Sequence, residues 1–392
     1  MRVKVSELTA YQVRIPLRKT IRHASHTRDS TENVVVRCIL QDGTEGFGEG
    51  VPREYVTGET IDEAINSLQE SDLGGQLESC PDFAHAVAMA ERLRLTPVPG
   101  DDRKCRRNAA RCAVELALLD AYGRHFGETL GTVTKLLSPE LYEFRPWVRY
   151  SGVILSASTW FKLRAAAWRA RIYRFPNVKV KVGIPGQDDV FRLKNIRLRL
   201  GWKKDLRVDA NEAWPRAEAA ERIRALQPFR ISVVEQPVPH ADVDVLREVR
   251  QTVGVPIMLD ESLCSLIDAE CALQQHSCDL YNLRLSKCGG FIPTLRLAQF
   301  AAKHGLGYQL GCQVGETALL SAAGRQFATS VVGLRYLEGS YDRHLVRETL
   351  AKSDITFRWG GWAPALDGAG LGITVDKEAL ERTAIRRVQL KG

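Results

Sequence analysis

Val178-Lys179-Val180-Lys181-Val182, Leu206-Arg207-Val208-Asp209-Ala210-Asn211, Ile231-Ser232-Val233-Val234-Glu235-Gln236-Pro237 and Val255-Pro256-Ile257-Met258-Leu259-Asp260-Glu261-Ser262 are successive apolar runs that end in charge. The charged ends recur at near-constant steps. Asp209 lies 28 residues after Lys181, Glu235 26 after Asp209, Asp260 25 after Glu235 and Lys287 27 after Asp260. Amphipathic helical stretches fill the gaps. Similar runs at residues 150–155, 280–285, 307–310 and 334–337 bring the number to eight. Eight alternating βα units predict a parallel (β/α)8-type barrel. That fold keeps its active site at the C-terminal strand ends, so five charged groups are expected around one mouth.

Working outward, residues 8–17 and 33–40 have strand composition, and Gln41-Asp42-Gly43-Thr44 after the second predicts a hairpin turn. Residues 61–70, 82–94 and 103–126 are expected to be helical. Strands followed by helices indicate an α+β unit. Beyond the barrel come Gly360-Gly361-Trp362 and Asp367-Gly368-Ala369-Gly370-Leu371-Gly372, then a short helix and a strand. The expected division is an α+β capping domain over 1–130, a barrel over 131–345, and a segment over 346–392 that packs back on the cap. The class is α/β.

With 392 residues, 44% hydrophobic and 26% charged, the chain is neither disordered nor fibrous. No run approaches a membrane span, and Met1-Arg-Val-Lys-Val-Ser has no apolar signal core, so a cytoplasmic location is expected. The net charge of +8 permits nucleic-acid binding without arguing for it. The basic clusters at 103–111 and 192–199 fall in helical stretches and are expected to be solvated faces. A milder use of the excess charge is attraction of anionic substrates. Nine cysteines without Cys-x-x-Cys spacing and eight scattered histidines predict reduced core thiols, with no disulfide frame or zinc site.

The order of the mouth charges is Lys, Asp, Glu, Asp, Lys. Three converging carboxylates need a cation, and oxygen-only ligands suit Mg²⁺, with Mn²⁺ a close substitute. Lys179 and Lys181 alternate onto one strand face, where each is expected to lower the other's pKa. A metal that binds a substrate carboxylate stabilises the charge formed when a base removes the adjacent proton, leaving an enediolate. A lysine on each face of that intermediate permits racemisation or epimerisation, and a nearby leaving group would turn the outcome to elimination. Singly, each of these motifs is more often a surface strand, turn or helix cap. Five in one order at one spacing are not.

These motifs resemble the enolase superfamily, and within it the muconate-lactonizing enzyme group. Gly46-Phe47-Gly48-Glu49-Gly50, the loop Tyr55-Val56-Thr57-Gly58-Glu59-Thr60 and Ala113-Val-Glu-Leu-Ala-Leu-Leu-Asp120 resemble that group's cap. The resemblance implies metal ligands at Asp209, Glu235 and Asp260, and an acid/base pair at Lys181 and Lys287. It implies supporting roles for Lys179, Asn211 and Glu261. The paired lysines separate the chain from the mandelate racemase branch, which has a histidine in place of the second. For the substrate it points to the cationic loop with Arg22 and His26, to Tyr55 and Thr57, and to Glu338 and Ser340 after the eighth strand. Glu338-Gly339-Ser340 lacks the Asp-x-Asp of dipeptide epimerases, and a glutamate there is also seen in muconate cycloisomerases. The implied activity is a Mg²⁺-dependent isomerase on a carboxylate, a racemase/epimerase or cycloisomerase of an amino-acid derivative or dipeptide. The alternative is a lyase of the o-succinylbenzoate synthase type. The expected partners are a small-molecule carboxylate and further copies of the chain as a homo-oligomer, with no nucleic acid and no membrane.

Overall fold

The computed structural model describes residues 2–22, 27–155 and 159–391. Its strands are β1 (Val5–Arg22), β2 (Thr27–Leu40), β3 (Glu45–Gly50), β4 (Trp147–Arg149), β5 (Gly152–Ile154), β6 (Asn177–Lys181), β7 (Asp205–Asp209), β8 (Ile231–Glu235), β9 (Ile257–Leu259), β10 (Leu280–Leu283), β11 (Gly307–Leu310), β12 (Leu334–Leu337), β13 (Trp362–Pro364) and β14 (Ala384–Lys391). They form a four-stranded sheet in the order β14-β1-β2-β3, a parallel sheet running β5 to β12 in chain order, and the pair β4–β13. The eight apolar runs are therefore eight neighbouring parallel strands. The backbone N–H of Ser151, beside β5, donates to Leu337 O of β12 at 2.8 Å and closes the ring.

Alternation within each strand divides the barrel. Val178 and Val180 of β6 are buried in the main core, whereas Lys179 and Lys181 share the opposite face with the charged ends of β7 and β8. Val233, Met258, Leu280 and Tyr336 form a separate small apolar cluster one pleat below those ends. Helices return the chain between strands, and their starts are written in short polar residues. Thr159, Asp188, Ser265 and Thr317 each accept a bond from a backbone N–H of the first turn. The eighth strand is followed by only one turn, Asp342–Leu345.

In the cap, β1 and β2 pair antiparallel, and β2 and β3 pair antiparallel across the predicted hairpin, with Gly43 at φ +85°. β3 lies on the helix Asn108–Phe126 so closely that a Cβ on Gly48 would sit 2.1 Å from Ala113 O. The alternating glycines 46, 48 and 50 permit this approach. That helix begins five residues later than expected, because Lys104 turns through φ +52°. β14 pairs with β1, Thr9 opposite Gln389.

The two basic clusters are not the solvated faces expected. Arg103 is ion-paired with Asp268, Arg111 with the buried Glu115, and Arg192 and Arg197 are themselves buried. Arg197 donates to the carbonyls of Phe229, Gly201, Lys204 and Arg230, tying together chain ends that only the fold brings near. All nine cysteines are free thiols, Cys271 alone being exposed. Among the described residues no helix is long and apolar enough to cross a membrane.

Candidate active site

The inward strand positions bring the mouth charges into one buried network. Asp209, Glu235, Asp260 and Lys287 are all 0% exposed. Register does this directly, since Lys181 lies opposite Asp209, and Asp209 opposite Glu235. Lys179 reaches Asp209 Oδ2 at 3.0 Å, both Glu235 oxygens at 3.3 Å and Glu338 at 2.8 Å. Lys181 donates to Asp209 Oδ2 at 2.7 Å and to Asn211 Oδ1. Lys287 is not on a strand end as expected but in the one-turn helix Leu285–Cys288. From there it donates to Asp260 O and Oδ1 at 2.6 and 2.9 Å and to Asn282 O at 2.8 Å.

Charge sets the proton affinities. Burial alone would lower the pKa of Lys179, but Glu235, Glu338 and Asp209 outweigh it and hold the ammonium above the ordinary lysine range. This corrects the expectation that a lysine neighbour depresses it: three carboxylates reach the same ammonium. Burial lowers the pKa of Lys287. Burial would raise Asp209, yet Lys181 and Lys179 bring it below the usual carboxylate range. Glu235 is raised by burial and by Asp209. Glu261 is pushed up to about 7 by burial, with Asp209 and Glu212 adding to it.

Asn211 links the two sides of the mouth. Its Oδ1 accepts from Lys181 and its Nδ2 donates to Glu261 Oε1 at 3.1 Å. The chain leaves β7 and β8 through left-handed residues, Asn211 at φ +44° and Gln236 at φ +37°. Such turns cost energy at non-glycine positions and are concentrated at functional sites.

Sequence reasoning missed four residues. Asn282 donates to Glu235 Oε1 at 2.8 Å, and Arg284 meets Asp260 Oδ2 as an ion pair without hydrogen-bond geometry. Gln236 Oε1 accepts from the backbone of Asp260 and Ser262. Arg207, fully buried, pairs with Glu338, donates to Asn177 Oδ1 at 2.8 Å and lies 4.2 Å from the Tyr336 ring centre. Only Arg207 carried a signal in the strand period, because it stands two residues before Asp209.

The proposed substrate residues divide. Glu338 joins the network by pairing with Lys179 and Arg207. Tyr55 and Thr57 lie on the one-turn helix Glu54–Thr57, where Tyr55 and Val56 pack with Cys105 and Cys264, just past β9. Ser340 turns away from the lysines, accepting from Arg325 and donating to Ile355 O. His26 lies outside the described residues, and for Arg22 only the backbone is described.

The donor set is of the kind a divalent metal requires. Asp209, Glu235 and Asp260 offer oxygen alone from three adjacent strands, and the buried Asp260 Oδ2 and Glu261 Oε2 accept no hydrogen bond. Among the described residues no three acidic, His or Cys side chains converge as a finished cage. Lys179 bridges Asp209 and Glu235, while Lys287 and Arg284 hold Asp260. The residues fit a hard cation in the chemistry of their donors.

Comparison with known proteins agrees. Residues 162–379 match the enolase C-terminal domain-like family, and residues 5–136 the mandelate racemase / muconate lactonizing enzyme N-terminal domain. An L-Ala-D/L-Glu epimerase of Clostridium acetobutylicum is 29% identical over 81% of this chain and 85% of its own length. A chloromuconate cycloisomerase of Cupriavidus pinatubonensis is 28% identical over 97% of this chain and 99% of its own. The crystal structure of a dipeptide epimerase from Cytophaga hutchinsonii, complexed with Mg and D-Ala-L-Val, superposes with a TM-score of 0.83 at 25% identity, covering 99% of this chain and 100% of that one. The chain belongs to the enolase superfamily, in its mandelate racemase / muconate lactonizing enzyme group, and is an isomerase.

Proposed function

We propose that this chain is a Mg²⁺-dependent racemase or epimerase that removes and returns the α-proton of a carboxylate, an N-substituted amino acid or dipeptide. The observation that carries the reading is the placement of two lysines on either flank of the carboxylate strands. Lys181 ends β6, one strand before Asp209, and Lys287 follows β10, one strand after Asp260. Asp209, Glu235 and Asp260 are the ligands in this reading. The ion would supply the positive charge a carboxylate needs as its neighbouring carbon loses a proton.

The lysines do the proton work. One takes the proton from one face of the planar carbon and the other returns one from the opposite face. Burial lowers the proton affinity of Lys287, which suits a base. Lys179 stays charged among Glu235, Glu338 and Asp209 and so acts as a fixed cation rather than a base. Asn211 holds Lys181 by its Oδ1. The names of the relatives support the substrate class.

The test is α-proton exchange in D₂O with Mg²⁺ over dipeptides of both chiralities, N-acylamino acids and muconate. The expected result is deuterium at the α-carbon and inversion, with Lys287→Ala abolishing epimerisation while Mg²⁺ still binds. Full epimerisation by that variant refutes the two-lysine scheme. Alkene formation without exchange would place the chain among the lyases.

A further inference from the structure

The backbone of the turn that carries Lys287 is tied to the cap at several points. Val51, directly after β3, exchanges backbone bonds with the Ser286 hydroxyl, its N–H donating at 2.7 Å. The rest comes from one stripe of the helix Asn108–Phe126, at positions 108, 111 and 115, spaced to share a face. Asn108 Nδ2 donates to Lys287 O at 2.6 Å and to Cys264 O at 2.8 Å. Arg111 donates to Gly289 O at 2.6 Å. Glu115, wholly buried, accepts from the N–H groups of Phe291 and Ile292, the first turn of the next barrel helix.

Asn108 is the decisive member because it touches two segments of the barrel at once. Cys264 belongs to the loop that leaves β9 after Asp260 and Glu261, and Lys287 to the turn that leaves β10. One carboxamide group thus fixes the spacing between the backbone of the lysine and the loop of the carboxylate it pairs with. The fit is close: a Cβ on Gly289 would come within 3.0 Å of Asn108 Oδ1. The same residue begins its helix, and the next two N–H groups, of Ala109 and Ala110, donate to Glu59 at 2.9 and 3.1 Å. Glu59 follows the Tyr55–Thr57 loop by two residues. A continuous set of bonds therefore runs from the cap loop, through the helix start, to the lysine turn.

We infer that Asn108 is a positioning residue for Lys287, acting from the cap on one of the two proton-transfer faces and not on the other. The inference rests on the two-lysine reading above. Nothing comparable ties Asn108 to Lys181, whose partners are Asp209 and Asn211. Displacing a proton-transfer group by about 1 Å costs roughly 100-fold in rate. Loss of the Asn108 donor should therefore act on one face alone, which general destabilisation does not do.

The experiment compares Asn108→Ala and the near-isosteric Asn108→Asp with wild type in D₂O with Mg²⁺, following α-exchange separately in each epimer. The probes are L-Ala-L-Glu with L-Ala-D-Glu, and N-succinyl-L-arginine with its D-form. Lys287→Ala identifies the epimer served by Lys287, as the one whose exchange stops. The expected result is a loss of about 100-fold for that epimer in both Asn108 variants, while the other stays within about threefold of wild type. Equal losses in both epimers, or none, overturn the positioning role, provided thermal melts show the variants folded. Asn108→Asp keeps the side-chain volume should Asn108→Ala unfold. A wild-type chain that exchanges neither epimer of any probe refutes the two-lysine reading itself, and the positioning role with it.

Discussion

Replacing Arg207 with methionine removes a buried charge but little volume. In the wild type its guanidinium donates to Asn177 and Ser151, pairs with Glu338 and lies over Tyr336, with none of it exposed. Breaking a buried ion pair from one side costs about 3–5 kcal/mol, because the remaining charge is left in low dielectric. Here Lys179 still stands 2.8 Å from the other oxygen of Glu338, which places the loss near the lower end, about 3 kcal/mol. The orphaned Asn177 oxygen adds about 1 kcal/mol. The methionine thioether keeps its contact with the Tyr336 ring. The assay is urea unfolding followed by far-UV circular dichroism for Arg207→Met, Glu338→Gln and the double variant. Arg207→Met should lose about 4 kcal/mol, and the double variant should recover about half of it, because no unpaired carboxylate remains. A loss below about 1 kcal/mol, or a double variant no more stable than Arg207→Met, would refute the account of a buried charge pair beneath the barrel mouth.

Other outcomes follow from single groups. Asp260→Asn should weaken Mg²⁺ binding by about tenfold or more in a calorimetric titration, since ligand charge sets the affinity. Glu316 carries a pKa pushed up to about 8 by burial, with Glu49 and Asp342 adding to it, against an ordinary 4.5. The folded chain thus holds a proton that the unfolded chain has released, so the stability from this group is full below about pH 4.5 and lost as pH rises through 8. Glu316→Gln should flatten the fall in thermal midpoint between pH 5 and 8. Gly290→Ala places a Cβ 2.1 Å from Glu115 Oε2 at a backbone φ of +129°. It should cost about 3 kcal/mol by pushing Glu115 off the amides of Phe291 and Ile292, and should be seen as a lower melting temperature.

The barrel was legible because its signal is periodic. A charged residue at the end of an apolar run marks both the strand and the face it presents, so the sequence alone points to Lys181, Asp209, Glu235 and Asp260. What escaped was pairing across distance. Arg103 and Arg111 resembled a solvated face because Asp268 and Gly289 are far away in the chain. The state of Lys179 depends on Glu338, six strands further along the chain yet 2.8 Å away through the closed ring. Arg207, Asn282 and Arg284 sat inside runs read as apolar; the two-residue period carried back from Asp209 reaches Arg207, but Lys287, on a helical turn, gives no such period for Asn282 and Arg284. Lys287 was located correctly in order but assigned to a strand, since a four-residue helix has no periodicity to detect.

The pairing of β1 with β14 has a consequence for how this protein is made. A strand near the start of the chain takes its outer partner from the far end, with the whole barrel between them. During synthesis β1 waits as an open edge, its hydrogen-bonding groups available to any passing strand. The cap sheet is complete only after the whole barrel has been translated, and its closure joins strands far apart in the chain, the slow kind of contact. The cap helix that holds the turn of Lys287 is thus in place long before the sheet behind it is finished, and an interruption of synthesis after the barrel would leave every mouth residue present on an unfinished support.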